Sequence, residues 1–231
     1  MKHITINDVS LRDGNHSVNH LIELESIAKY CQFADKANIP IIEVGHGCGL
    51  SASSILIGEC KYSDRKLLSV ARENIKNNKL SIHIIPGFAT VKKDIQVAID
   101  EGVDVFRVAT HCTEATLSKT HLTYLRNNNK TAYGVLMLTA LTTKETLLEQ
   151  SKIMIDFGAE AIVLMDSTGS FLPIDVQERI ELLVSNLSVE IGFHAHNNLS
   201  LSIANSLQAA KSGATILDAC INGFGAGAGN T

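Results

Sequence analysis

The sequence has no tryptophan and only three prolines in 231 residues, which leaves no material for a Pro-rich linker. No window reaches about 18 uninterrupted apolar residues, so nothing reads as a membrane span. The N-terminal stretch MKHITINDVSLRDG lacks an apolar run long enough for a signal peptide. Positive charge is not in excess. Twenty Lys and Arg face 24 Asp and Glu, a net charge of −4, which argues against nucleic acid or an anionic membrane as partner. There is no C-x-x-C. The five cysteines, Cys31, Cys48, Cys60, Cys112 and Cys220, are odd in number and scattered. That pattern fits reduced thiols in a cytoplasmic protein, not a disulfide framework or a zinc knuckle. What is present is a hydrophobic content of 45% against 19% charged residues, enough for a large buried core. The length suits one domain spanning residues 1–231, because (β/α) barrels run to about 250 residues as a single unit.

Short β-branched runs alternate with longer stretches of helical period. Strands are expected at 3–9, 41–44, 81–85, 105–109, 132–138, 161–166, 190–194 and 215–221. Amphipathic helices are expected between them, for example at 22–37, 143–157 and 173–184. Gly102, Gly158 and Gly213 occur in the similar phrases EGVDVF, FGAEAIV and SGATILD, each reading as a helix end just before a strand. They are spaced by about two βα units, and eight strands at that pitch predict an α/β fold, a (β/α)8 TIM barrel. A doubly wound open sheet usually has fewer strands, and no glycine-rich turn follows the first strand. The sequence stops after strand 8, so an eighth helix is missing from this chain. With Ile216, Leu217, Ala219 and Ile221 in that strand, an apolar flank is expected to meet water unless a longer natural chain or a partner covers it.

In such a barrel the chemistry gathers at the C-terminal ends of the strands. Strand 1 leads into Leu11-Arg12-Asp13-Gly14-Asn15-His16, and strand 7 into Phe193-His194-Ala195-His196. Side chains alternate along a strand, so His194 and His196 point the same way. Alone, an H-x-H pair is a weak signal. With Asp13 across the barrel mouth it makes a 2-His-1-carboxylate face suited to a divalent first-row metal. Glu43 lies inside the apolar run IIEVG, where an unpaired carboxylate is costly to bury, and Arg12 is its expected partner. Arg107, inside FRVAT, reads more readily as a structural ion-pair member. His16 is a candidate general base or a surface histidine. Cys48 reads as a small buried residue before a reactive thiol, and His46 and His111 stay undecided. The C-terminal GFGAGAGN has no helix and no acidic residue about 20 positions on, so it is not a dinucleotide loop.

Taken together, LRDGNH, IEVGHGCGLSASS, IIPGFATVKKD, FRVATHCTEA, LMDSTGS, FHAHNNLSLSIANS and GFGAGAGN resemble the 4-hydroxy-2-oxovalerate aldolases. These are pyruvate-specific class II aldolases of the DRE-TIM metallolyase superfamily. The resemblance runs through essentially the whole chain in order. It implies a lyase that cleaves or forms 4-hydroxy-2-oxoacids, giving pyruvate and a short aldehyde through a metal-stabilised pyruvate enolate. Asp13, His194 and His196 would hold Mn2+, with Co2+ or Mg2+ as alternatives. Asn230 is a further candidate ligand. Arg12 would stabilise the enolate oxygen with Glu43 as its partner, His16 would accept the 4-hydroxyl proton, and Ser167 would hold the pyruvate portion. The family pattern departs at Cys48, Thr168 and Asn197, which touches aldehyde specificity more than reaction class. Cys48, Ser51 and Phe88, in the loops after strands 2 and 3, are expected to line the mouth and to broaden or shift that specificity. The resemblance also implies a partner acylating aldehyde dehydrogenase, contacted by a C-terminal region that this sequence lacks; self-association is the other implied contact. Two other readings stay open: a Claisen-type enzyme condensing an acyl-CoA with a 2-oxoacid, and a non-catalytic barrel subunit of a complex.

Overall fold

The structure, a computed structural model, describes residues 3–231. Its eight strands are β1 (Thr5–Leu11), β2 (Ile41–Val44), β3 (Lys79–Ile84), β4 (Val105–His111), β5 (Thr131–Met137), β6 (Ala161–Asp166), β7 (Glu190–Ala195) and β8 (Ile216–Ala219). They close into a barrel in chain order. Every neighbouring pair is parallel, and the seam is closed by β1 against β8, Thr5 opposite Ile216 and Asp8 opposite Ala219. The crossovers carry α1 (Leu24–Lys36), α2 (Asp64–Asn74), α3 (Gln96–Asp100), α4 (Lys119–Asn127), α5 (Lys144–Phe157), α6 (Pro173–Asn186) and α7 (Ser202–Lys211). None of the described helices is long and apolar enough to cross a membrane.

Local sequence explains these elements. Strands covered on both faces read as continuous apolar runs, and all six residues of β6, AIVLMD, are buried. The helix α5 begins where the Thr143 side chain accepts a hydrogen bond from the Thr146 N–H, and it ends at Gly158 with φ +120°, a left-handed cap that glycine adopts without strain. Gly102 and Gly213 have the same sign of φ just past α3 and α7, as the repeated phrases predicted.

Alternation places a layered stack inside the barrel. Ile41, Val105, Tyr133, Ala161 and Ile216 form an apolar floor. Two residues further along the same strands come Glu43, Arg107 and Asp218, all buried. Above them in β4, β5 and β6 lie Ala109, Val135, Val163 and Met165. A charged storey thus rests on the apolar floor.

Several strand boundaries differ from the sequence reading by one or two residues, those of β3, β4, β5 and β7 among them, and the first and last strands show why. The first strand starts and ends two residues later than 3–9, because Leu11 still pairs with Val44 of β2. The last strand stops at Ala219, short of 221, as the chain turns and the Cys220 N–H donates to the Thr231 carbonyl. The apolar groups of β8 are not left open: Ile216 is 1% and Leu217 9% exposed, one in the barrel floor and one in the main core. Only Ile221, already past the strand, is half exposed.

Candidate active site

The residues singled out from the sequence meet at the C-terminal mouth. A cavity of about 490 Å3 is lined there by Arg12, Asp13, His16, Cys48, Ser167 and His196, with Gly47, His83, Ile85, Met137 and Met165 among its other walls. Asp13 opens a short 3-10 turn directly after β1. His194 and His196 stand two apart at the end of β7, which directs both rings to one face. One ligand atom from each of Asp13, His194 and His196 falls within 4.8 Å of the other two, and all three residues are buried. His194 Nε2 lies 3.2 Å from His196 Nε2 and 3.2 Å from Asp13 Oδ2.

Hydrogen bonding settles the tautomer of His194. Its Nδ1 donates to Asp218 Oδ2 at 2.8 Å, which in the neutral ring leaves the Nε2 lone pair toward Asp13 and His196. Burial and the neighbouring His194 push the pKa of His196 down to about 4, so that ring stays neutral and able to ligate. Burial works against charge on His194 too, but hydrogen bonds to Asp13 and Asp218 outweigh it and raise its pKa. Asp13 is buried, yet Arg12 and His194 hold its carboxyl well below the usual carboxylate range. Its Oδ1 also accepts from the Ala226 N–H at 2.9 Å. Two imidazoles and an ionised carboxylate converging on one point fit a divalent ion with open positions.

Arg12 is nearly immobile. Its Nε donates to Glu43 Oε1 at 2.6 Å, its Nη1 donates to the Gly47 carbonyl at 3.2 Å, and the same Nη1 lies 3.2 Å from Asp13 Oδ2. Nη2 is buried with no partner among the described residues. Glu43 is shared: Arg107 Nη1 donates to its Oε2 at 2.8 Å. Burial would neutralise Glu43, but Arg107 and Arg12 hold its pKa down to about 2. Arg107 Nη2 then reaches Asp218 Oδ2 at 2.6 Å, while Asn7 Nδ2 donates to Asp218 Oδ1 at 2.9 Å. Arg107 is thus an ion-pair member, with two carboxylates in place of one.

His16 lines the cavity against Gly47, where a Cβ would stand 2.3 Å from His16 Nε2; any side chain at position 47 would displace the His16 ring. Burial, reinforced by Arg12, lowers its pKa, so the ring is neutral near pH 7. His46 is structural: its Nδ1 accepts from the Cys48 N–H, its Nε2 meets the Gly58 carbonyl, and its ring stacks on His20 at 3.8 Å. His111 bonds to Thr113 and stands apart from the cavity lining. Ser167 Oγ accepts from the Leu138 N–H at 2.9 Å, which leaves its hydroxyl proton free. Asn230 pairs with His196 in an isolated β-bridge, and its Oδ1 is buried without a partner.

Of the three residues expected to line the mouth, one does and two need correction. Cys48 is half-buried and lines the cavity, although burial raises its thiol pKa and keeps it protonated. Ser51 and Phe88 do not line this mouth. Ser51 adopts φ +60° and donates its N–H to Asp64, turning the loop toward a separate cavity of about 540 Å3 with Phe88, Lys61 and Lys93. The sequence reading also missed Asp218. The cue was available, because a lone carboxylate in the apolar run TILDAC is the same signal that marked Glu43.

Residues 3–231 match the family model described as HMGL-like. A protein of Pectobacterium atrosepticum called 4-hydroxy-2-oxovalerate aldolase is 53% identical over 230 residues, covering 100% of this chain and 67% of that protein. One of the same name from Spirochaeta aurantia is 50% identical over 98% of this chain and 67% of its own length. One from Burkholderia pseudomallei is 49% identical over 99% of this chain and 65% of its own length. The chain thus spans about two thirds of these relatives. Among solved structures, the N-terminal domain of a Bacteroides vulgatus protein described as an aldolase superposes with a TM-score of 0.83 at 26% identity, over 98% of this chain and 76% of that one. The carboxyl transferase domain of Rhizobium etli pyruvate carboxylase reaches 0.83 at 16% identity, over 100% of this chain and 41% of that one, a likeness of fold alone.

Proposed function

The chain belongs to the HMGL-like family and, within it, to the 4-hydroxy-2-oxovalerate aldolases, which are carbon–carbon lyases, and from that premise we propose that it cleaves 4-hydroxy-2-oxoacids to pyruvate and a short aldehyde, or condenses the two. The observation that carries this reading is a cavity lined by Asp13 and His196, on which His194 converges to complete a metal-ligand group, beside an unpartnered guanidinium nitrogen of Arg12. Residues 1–231 form its catalytic barrel domain. Asp13, His194 and His196 hold a divalent ion, Mn2+ before Co2+ or Mg2+, and the Oδ1 of Asn230 is a fourth candidate ligand. Bound there, the ion supplies Lewis acidity to the 2-oxo group of the substrate.

The chain's own groups do the rest. Neutral His16 accepts the 4-hydroxyl proton as the C3–C4 bond breaks and the aldehyde forms. The bonding electrons pass to the pyruvate fragment as an enolate, whose oxygen meets the Arg12 Nη2–H. Glu43 fixes that guanidinium, so no reorganisation is needed when the charge develops. The Ser167 hydroxyl donates to the substrate carboxylate, and Ile85, Met137 and Met165 keep water from the enolate until C3 takes up the proton held by His16, which returns that ring to its neutral form.

The reading is tested by pyruvate release from 4-hydroxy-2-oxoacids of increasing chain length, with and without a chelator. Release that a chelator abolishes and Mn2+ restores is expected, spread over several chain lengths, because apolar walls separate neighbours by only about 1–3 kcal/mol per methylene. No release from any member, or free thiol appearing with an acyl-CoA and a 2-oxoacid, overturns it. His16→Ala is expected to retain Mn2+ while kcat falls by about 10²-fold or more. Unchanged kcat in that variant would place the base elsewhere.

A further inference from the structure

Six residues beneath the cavity form a closed circuit. From Asp13 it runs to Arg12, Glu43, Arg107, Asp218 and His194, and it returns to Asp13, every link 3.2 Å or shorter. All six are buried, at 3% exposure or less. Asp13 joins Arg12 to His194 on the cavity side, and Arg107 joins the carboxylates behind them: Glu43, which fixes Arg12, and Asp218, which fixes the tautomer of His194. Neither Arg107 nor Asp218 lines the cavity, so neither meets substrate.

A buried carboxylate against the outer nitrogen of a ligating histidine orients the ring and makes it a better donor. Here Asp218 is itself held in a fork. Its Oδ2 accepts from both Arg107 and His194, and its Oδ1 accepts from Asn7. The planar, bidentate guanidinium of Arg107 bridges Glu43 and Asp218, a span that a single ammonium cannot cover. We propose that Arg107 and Asp218 are positioning residues that lock the metal-binding imidazole and the enolate-facing guanidinium into one rigid unit, so that the two cannot be adjusted independently. This rests on the lyase reading for the role of Arg12, but its first readout is metal binding without turnover.

The experiment measures Mn2+ affinity of the full 231-residue chain by the loss of the free-ion EPR signal, alongside thermal melting and kcat at saturating Mn2+. Asp218→Asn keeps the shape of the side chain, and Asn7 can turn its unpartnered Oδ1 toward the new NH2. It is expected to weaken Mn2+ binding about 10–100-fold while melting stays near that of the unaltered protein. Arg107→Lys is expected to weaken Mn2+ binding and also to lower kcat at saturating Mn2+ about tenfold or more with KM little changed, because Arg12 loses its fixed partner. Lower melting temperatures with Mn2+ affinity and saturating kcat within about twofold of the unaltered protein would mean an ordinary structural ion pair, and the proposal would fall. Should Arg107→Lys not fold, Asp218→Asn decides through metal affinity alone. If the unaltered chain binds Mn2+ yet releases no pyruvate, the lyase reading fails while the metal data still judge the circuit.

Discussion

Exchanging Arg12 for Lys is expected to lower kcat for 4-hydroxy-2-oxoacid cleavage by about 10²–10³-fold, the range seen when one preorganised donor is taken from a developing oxyanion. The physical cause is the number and direction of N–H groups. Arg12 engages Glu43 through Nε and the Gly47 carbonyl through Nη1, and still presents an unpartnered Nη2. A lysine at this depth keeps the charge but offers one nitrogen, which Glu43 captures, leaving nothing aimed at the reacting oxygen. KM should move little, since the donor matters most after charge has developed. Steady-state kinetics at saturating Mn2+, with a melting curve to confirm the fold, checks this. A kcat within about threefold of the unaltered protein would remove Arg12 from the chemistry.

The second large effect concerns the ligands. His194→Ala and His196→Ala are each expected to weaken Mn2+ binding by at least about 10²-fold, more than the loss of an outer-shell partner, which alone costs about 10–100-fold. Affinity of the unaltered protein should also fall as pH drops, and the sign follows from the protonation states. Burial opposes charge on His194, but its hydrogen bonds to Asp13 and Asp218 outweigh it and raise its pKa, so on acidification this ring takes up a proton before an ordinary histidine would, and the ion must then displace it. His196 stays neutral down to about pH 4 and adds nothing to the slope above that. One displaced proton gives roughly a tenfold loss per pH unit below the pKa of His194. Titrations from about pH 8 to about pH 5 read it directly. A flat profile, or full binding in either alanine variant, would show that the ion sits elsewhere.

Much of the barrel was legible because its signals are local and repeated: buried apolar runs, helical stripes, and glycine at the ends of α3, α5 and α7. Asp13, His194 and His196 were legible for a different reason. Barrel topology sends the ends of β1 and β7 to the same mouth whatever the loops do. Glu43 announced itself by the cost of burying a carboxylate in an apolar strand, but its second partner did not. Whether Arg107 faces one acid or two depends on the closed geometry that brings β4, β2 and β8 around a common axis. Ser51 and Phe88 were misplaced because the fate of a loop hangs on single torsions. A left-handed φ at Ser51 and its bond to Asp64 carry that segment into the neighbouring cavity.

The seam between β1 and β8 has a consequence in time. Asn7 bonds Asp218 across 211 positions, and Asp13 takes the Ala226 N–H across 213. Contacts so distant along the chain form late, after the long loop between them has been closed. During synthesis, which delivers the N-terminal portion first, a chain that has not yet made β8 holds Arg107 with one carboxylate where two will stand. His194 then has no acceptor for its Nδ1 proton, and Asp13 lacks its brace. A chain that ends before β8 therefore lacks both the Asp218 carboxylate and the Ala226 N–H that hold the site's side chains in place.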